Sequence, residues 1–308
     1  MPDPLDIVQT SQAKALGLVP SRSRALRQIR RGSYVDATAQ DSAGVEDRYR
    51  ARVRAVGIAR PRIVFALESA AMLHGLPFGT EPRYVFSTGD PSMSGGRAGV
   101  RNSHLPIRPE HVVEVDGLRC SSVAWTLADL GRRRIPSDGI PAMDAALATG
   151  VVTKPDIERA LLHQSKQGRV RARWSIAFAD ARSESVGESR SRVAIALLGF
   201  PVPQLQVVVR THLGEFRADF GWRRGERWLL GEFDGLMKYG SLAAAEGRTG
   251  VDALVSEKRR EDAMRVASDV CRWTWDDVIR PERLERILRA TGLPQQERVL
   301  PTGVRLLS

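Results

Sequence analysis

Four carboxylates in the last third of the chain, Glu188, Asp219, Glu232 and Asp234, have the types and spacing for phosphoryl chemistry. Glu232 and Asp234 lie two residues apart, so a strand would point both to one face. With a four-residue loop from Arg224 to Arg227, Asp219 would lie directly across from Glu232 in an antiparallel pair. Facing carboxylates repel unless a cation offsets them. A hard divalent ion such as Mg²⁺ (or Mn²⁺) does so, and can activate water against a phosphodiester. Asp219, Glu232 and Asp234 are the expected metal ligands. The plain alternative is a surface hairpin with solvated acids, against which stand the apolar neighbours Phe220, Trp222, Leu230 and Phe233.

Three strands and a helix must position these groups. Residues 204–210, 216–222 and 228–234 alternate or are β-rich, with residues 223–227 as the turn. Glu188 opens a helix that ends before Pro201 and Pro203.

Charge points to the substrate class. The chain has 308 residues, with 47 Lys+Arg against 36 Asp+Glu, a net +11. Most of the cations are arginine, whose planar fork suits phosphates and guanine edges. Double-stranded DNA is the expected partner, although high-GC genomes also enrich arginine. At roughly 100–200 residues per domain the length argues for two or three compact units. The longest apolar run, residues 193–200, is far short of the about 20 that a membrane span needs. No membrane association is expected, and Met1 to Pro4 lacks the layout of a secretory signal. Two cysteines, Cys120 and Cys271, exclude a disulfide framework and a cysteine-based zinc site, and fit a cytoplasmic location.

The N-terminal region reads as a DNA-binding head. Residues 10–17 suggest a short helix, and residues 21–31 a second one capped by Ser21. Helical spacing would put Ala25, Leu26 and Ile29 on one side and Arg24, Arg27, Arg30 and Arg31 on the other, with Arg22 near the start. Ser33 to Val35 would begin a wing. This is the layout of a winged helix-turn-helix, in which Ser21, Arg22, Arg24, Arg27, Arg30 and Arg31 would contact DNA. Ala15, Leu16, Gly17, Ser21, Arg24, Gly32 and Tyr34 resemble the N-terminal domain of the abortive-infection type IV antitoxins, the AbiEi family. That resemblance implies binding upstream of the protein's own operon, and a cognate toxin as partner.

The middle region carries further segments similar to that family: residues 68–77, 115–122 and 126–130, with Ser121 and Trp125 departing from its pattern. His74, on an apolar Ala-Met-Leu helix, reads as a hydrogen-bonded core residue in preference to a ligand or base. The five histidines show no metal-ligand spacing, and Gly95-Gly96 lacks the lysine of a phosphate loop. No chemistry is expected here.

The order of Glu188 on a helix, Asp219 on a strand and Glu232 and Asp234 on the next resembles the PD-(D/E)xK nucleases. The closer likeness is to very-short-patch-repair-like (Vsr-like) endonuclease domains of actinobacterial AbiEi-headed proteins. Lys238 to Gly240, Glu257 to Arg265 and Arg272 to Trp275 continue the match, which covers residues 180–278. The resemblance implies metal binding by Asp219 and Glu232, with Glu188 assisting and Asp234 completing the shell. Asp234 occupies the superfamily's lysine position, so Lys238 or Lys258 would supply the catalytic cation.

The expected architecture is α+β and multidomain. It comprises a winged helix-turn-helix head (1–45), a small α/β connector (46–168), a restriction-endonuclease-like mixed-sheet domain (169–290) and a tail (291–308). The expected function is metal-dependent hydrolysis of DNA in phage defence or DNA processing. The alternatives are a non-enzymatic antitoxin-like repressor with a degenerate nuclease domain, whose Arg169, Arg171 and Arg173 would hold DNA non-specifically, and a DNA-repair accessory factor.

Overall fold

The computed structural model describes residues 5–15, 17, 19–20, 23–89, 96–97, 99–103, 106–211, 214–235 and 268–296. The fold is α+β with several sheets, divided into two compact units: residues 1–133 with 151–172, and residues 134–150 with 173–308. Residues 134–150, read from sequence as connector, thus fall in the second unit. Among the described residues no helix is long and apolar enough to cross a membrane.

The first unit starts with β1 (Val8–Gln9), α1 (Thr10–Ala15), β2 (Leu26–Arg30), β3 (Ser33–Asp36), α2 (Ala37–Ser42) and α3 (Val45–Ala59). The strands form an antiparallel sheet ordered β1-β3-β2. This corrects the expected recognition helix over residues 21–31: Leu26–Arg30 is a strand. Leu26 and Ile29, three apart, fit the helical period, and the strand carries a register shift between Gln28 and Arg30 instead. Pairing decides it, because Arg31 and Gly32 (φ +85°) close a tight hairpin that sets Arg30 against Ser33. Ile29 then packs on Leu5, Val35 and Ala51. Arg27 and Arg30 consequently sit on a strand, with Arg24 and Arg31 in turns, and no helix-turn-helix is built from them. Ser21 and Arg22 lie outside the described residues.

The same unit holds a six-stranded sheet ordered β6-β7-β5-β4-β9-β8. Its strands are β4 (Val64–Phe65), β5 (Val85–Thr88), β6 (Gly96–Arg97), β7 (Val100–Ser103), β8 (Val112–Val115) and β9 (Leu118–Ser121). Helices α4 (Leu67–Leu73), α5 (Val123–Arg133) and α7 (Lys154–Leu162) accompany it. His74 donates from Nε2 to the Ser121 carbonyl at 2.7 Å, and burial lowers its pKa.

The second unit contains α6 (Pro136–Ala148), α9 (Val186–Leu197), β10 (Gln204–Thr211), β11 (Gly214–Arg224), β12 (Arg227–Asp234), β13 (Ser268–Thr274), α10 (Trp275–Ile279) and α11 (Pro281–Ala290); the chain enters it within α8 (Arg169–Phe178). The sheet order is β10-β11-β12-β13, with β13 parallel to β12 and the other neighbours antiparallel. The β11–β12 turn is shorter than expected: Arg224 pairs with Arg227, leaving Gly225 (φ +57°) and Glu226 as the loop. The register is nevertheless the expected one. Leu205, Phe220, Trp222, Leu229 and Trp273 form one core with α9 and α11, while Val207, Val209, Ala218 and Leu230 form another.

A buried ion pair ties α6 to α9. Arg192 meets Asp144 at 2.9 Å, and the same carboxylate accepts from Ser189 Oγ and the Asp180 amide. Removing one partner would strand a charge out of water, which gives this contact its importance for the geometry of α9.

Candidate active site on the second sheet

Regular pairing brackets one row of the second sheet. Leu205↔Phe220 and Val207↔Ala218 flank Gln206 and Asp219, Phe220↔Gly231 adjoins Asp219 and Glu232, and Glu232 pairs with Arg272. Gln206, Asp219, Glu232 and Arg272 thus lie across four successive strands. Gln206 is in the left-handed region (φ +55°), unusual for a residue with a side chain. Alternation slips at this row: Leu205 and Val207, two apart, enter different cores, as do Ala218 and Phe220. The irregularity turns polar side chains toward the start of α9.

Glu188 stands in the first turn of α9, where a carboxylate is favoured by the exposed amides. Ser185 caps the helix by accepting from the Glu188 amide, and its hydroxyl donates back to Glu188 Oε1 at 2.8 Å. Glu188 Oε2 accepts from the Glu184 amide at 3.0 Å and from Gln206 Nε2 at 2.9 Å. Gly187 lets this turn approach the sheet: a Cβ there would fall 1.9 Å from the Phe233 ring. Burial raises the Glu188 pKa, and the neighbouring charges of Asp219 and Glu184 add to the rise, against its hydrogen bonds.

Asp219 accepts from the Phe233 amide at 2.9 Å. Glu232 is buried, with Arg272 at 3.4 Å from its Oε2. Asp234 closes β12, half-buried and paired in register with Thr274. The structure therefore brings Glu188 toward Asp219 and sets Glu232 in the same row. Among the described residues these acids do not bring three ligand oxygens within 4.8 Å of one another. Lys238 and Lys258 lie outside the described residues.

The donor set suits a hard cation in its chemistry. Burial, with the charge of Asp219 adding to it, disfavours the ionised Glu188, and the oxygens of both acids are the ligand type that Mg²⁺ and Mn²⁺ take. Sequence reading did not assign Gln206 or Arg272 a place in the site. Gln206 reads as an ordinary strand polar residue, and the Glu232–Arg272 partnership needs the parallel pairing of strands 40 residues apart. Arg171 is not a free DNA-binding cation: its guanidinium donates to the carbonyls of Gly131 and Arg132.

No family model matches the chain, and no solved structure matches it. Two Mycobacterium tuberculosis proteins, uncharacterized protein MT2308 and uncharacterized protein Rv2248, are each 36% identical to it over 110 residues. The match covers 35% of this chain and 41% of each relative's length.

Proposed function

We propose that the second unit is a metal-dependent nuclease that hydrolyses phosphodiesters of double-stranded DNA. The observation that carries the reading is the row of Gln206, Asp219 and Glu232 at an irregularity of the sheet, with Glu188 hydrogen-bonded to it from the start of α9. Asp219 and Glu232 would hold Mg²⁺ or Mn²⁺, with Asp234 at the strand end. The ion, when bound, would polarise the phosphate and lower the pKa of a coordinated water. Glu188 is oriented by Ser185 and Gln206, and its raised pKa suits it to exchange a proton near the row. Arg272 puts a guanidinium beside Glu232, a cation that could offset charge developing on the phosphate.

DNA as substrate is supported by the net charge of +11 and by the β2–β3 hairpin, where Arg24, Arg27 and Arg31 are exposed. Arg27 meets Asp41 at 3.1 Å, a solvated contact that a phosphate can displace. A role in phage defence or DNA processing, with a toxin partner and a cytoplasmic location, belongs to the same proposal.

One observation favours the second reading, a DNA-binding repressor with an inactive nuclease domain: Glu232 is already ion-paired with Arg272. Titration with Mn²⁺ followed by electron spin resonance separates the two. The nuclease reading expects a Mn²⁺ site that Asp219→Asn removes from the titration; identical titrations of both proteins would contradict it.

A further inference from the structure

The first unit contains a second constellation, remote in sequence from the acids and independent of the nuclease reading. The ligand atoms of Glu110, His111 and His163 all lie within 4.8 Å of one another. The short 3₁₀ turn Pro109–His111 brings Glu110 and His111 into place, and His163 caps the C-terminus of α7. The backbone around His111 is pinned: its amide donates to the Arg108 carbonyl, and its carbonyl accepts from Ser122 at 2.8 Å. The Trp125 ring lies 4.8 Å from the His111 ring and limits its rotation. His163 is fixed at its backbone, where the amide donates to Ala160.

We propose that Glu110, His111 and His163 form a binding site for one zinc-class transition-metal ion, with a fourth position open to water or a small ligand. His111 Nε2 and His163 Nδ1 are 3.1 Å apart. Two nitrogens on a tetrahedral zinc ion, at bonds of about 2.0–2.1 Å, are separated by about 3.3 Å, so these rings already have a chelating separation. The same distance fits one shared N–H···N hydrogen bond, which is the arrangement the metal would replace. Glu110 is exposed, and its nearby cation is the equally solvated Arg108 at 3.7 Å, so its carboxylate can swing onto an ion at small cost. Two imidazoles and a carboxylate select zinc, cobalt or nickel over magnesium. Three protein ligands leave the fourth position vacant, as in catalytic zinc centres. His163 also lines a cavity of about 260 Å³ with Thr88, Ser103, Trp125, Arg132 and Gln164. The linear spacing hid this set, because 52 residues separate the two histidines.

The test uses the full-length protein, stripped with EDTA and titrated with Co²⁺ while the visible d–d bands are recorded, with Zn²⁺ then added in competition. One equivalent of Co²⁺ should give intense tetrahedral bands that Zn²⁺ removes. Both His163→Ala and His163→Gln, at an exposed position, should weaken binding at least about tenfold with unchanged melting curves of the metal-free protein. Asp219→Asn should develop the same tetrahedral bands as wild type, which separates this site from the acids of the second unit. The proposal is overturned if wild-type protein develops no such bands, or if both His163 variants bind with wild-type affinity.

Discussion

The Asp219 carboxylate accepts a hydrogen bond from the Phe233 amide at 2.9 Å, beside the Phe220↔Gly231 rung of the β11–β12 ladder. A side chain there does what a backbone carbonyl does elsewhere in the ladder, so Asp219 has a structural duty beside any chemical one. The two can be separated by substitution. Asp219→Ala leaves a part-buried donor without this acceptor and should cost about 1–3 kcal/mol in urea denaturation. Asp219→Asn keeps an acceptor oxygen and should stay within about 1 kcal/mol of wild type. Equal losses in both would mean that charge, and not the hydrogen bond, supports the strand.

Gly187 packs against Phe233 so tightly that an added Cβ would overlap the ring. Gly187→Ala should destabilise by about 1–3 kcal/mol, since the added methyl meets the ring and the ring is held edge-on to Trp275 at 5.1 Å. Phe233→Leu should recover part of that loss in a double-mutant cycle. Simple additivity of the two changes would show that the clash is relieved elsewhere.

Acid stability should depend on Asp180. Arg182 grips its carboxylate from Nε, Nη2 and the backbone amide, and holds Asp180 below the ordinary carboxylate range, against some burial. A depressed folded pKa means the contribution is complete above the unfolded value of about 3.9, and is lost as pH falls through the folded value. Arg182→Ala should therefore lower stability at neutral pH by about 0.5–1 kcal/mol, the range of a solvated pair, and the deficit should shrink below pH about 4. Urea midpoints measured across that range check it; a deficit independent of pH would remove the ion pair as its cause.

Legibility of the chain followed the length of its patterns. The strands around Asp219 and Glu232 were readable because residues 216–222 alternate and residues 228–234 form a long β-rich run, and the hairpin register followed although its loop is two residues shorter than expected. The hairpin of β2 and β3 was not, because Leu26 and Ile29, three apart, fit a helix face, and only the irregular pairing with β3 and the contact of Ile29 with Val35 and Leu5 override that spacing. Arg272, Gln206 and the Glu110, His111 and His163 set depend on tertiary pairing, which spacing along the chain does not encode.

The most direct test of the central claim incubates the purified protein with supercoiled plasmid in Mg²⁺, Mn²⁺ or EDTA, beside the folded Asp219→Asn variant. The account predicts nicking or linearisation that requires the metal and disappears in Asp219→Asn, with duplex affinity retained. Tight DNA binding with no cleavage in any metal, or cleavage that survives the substitution, would contradict it.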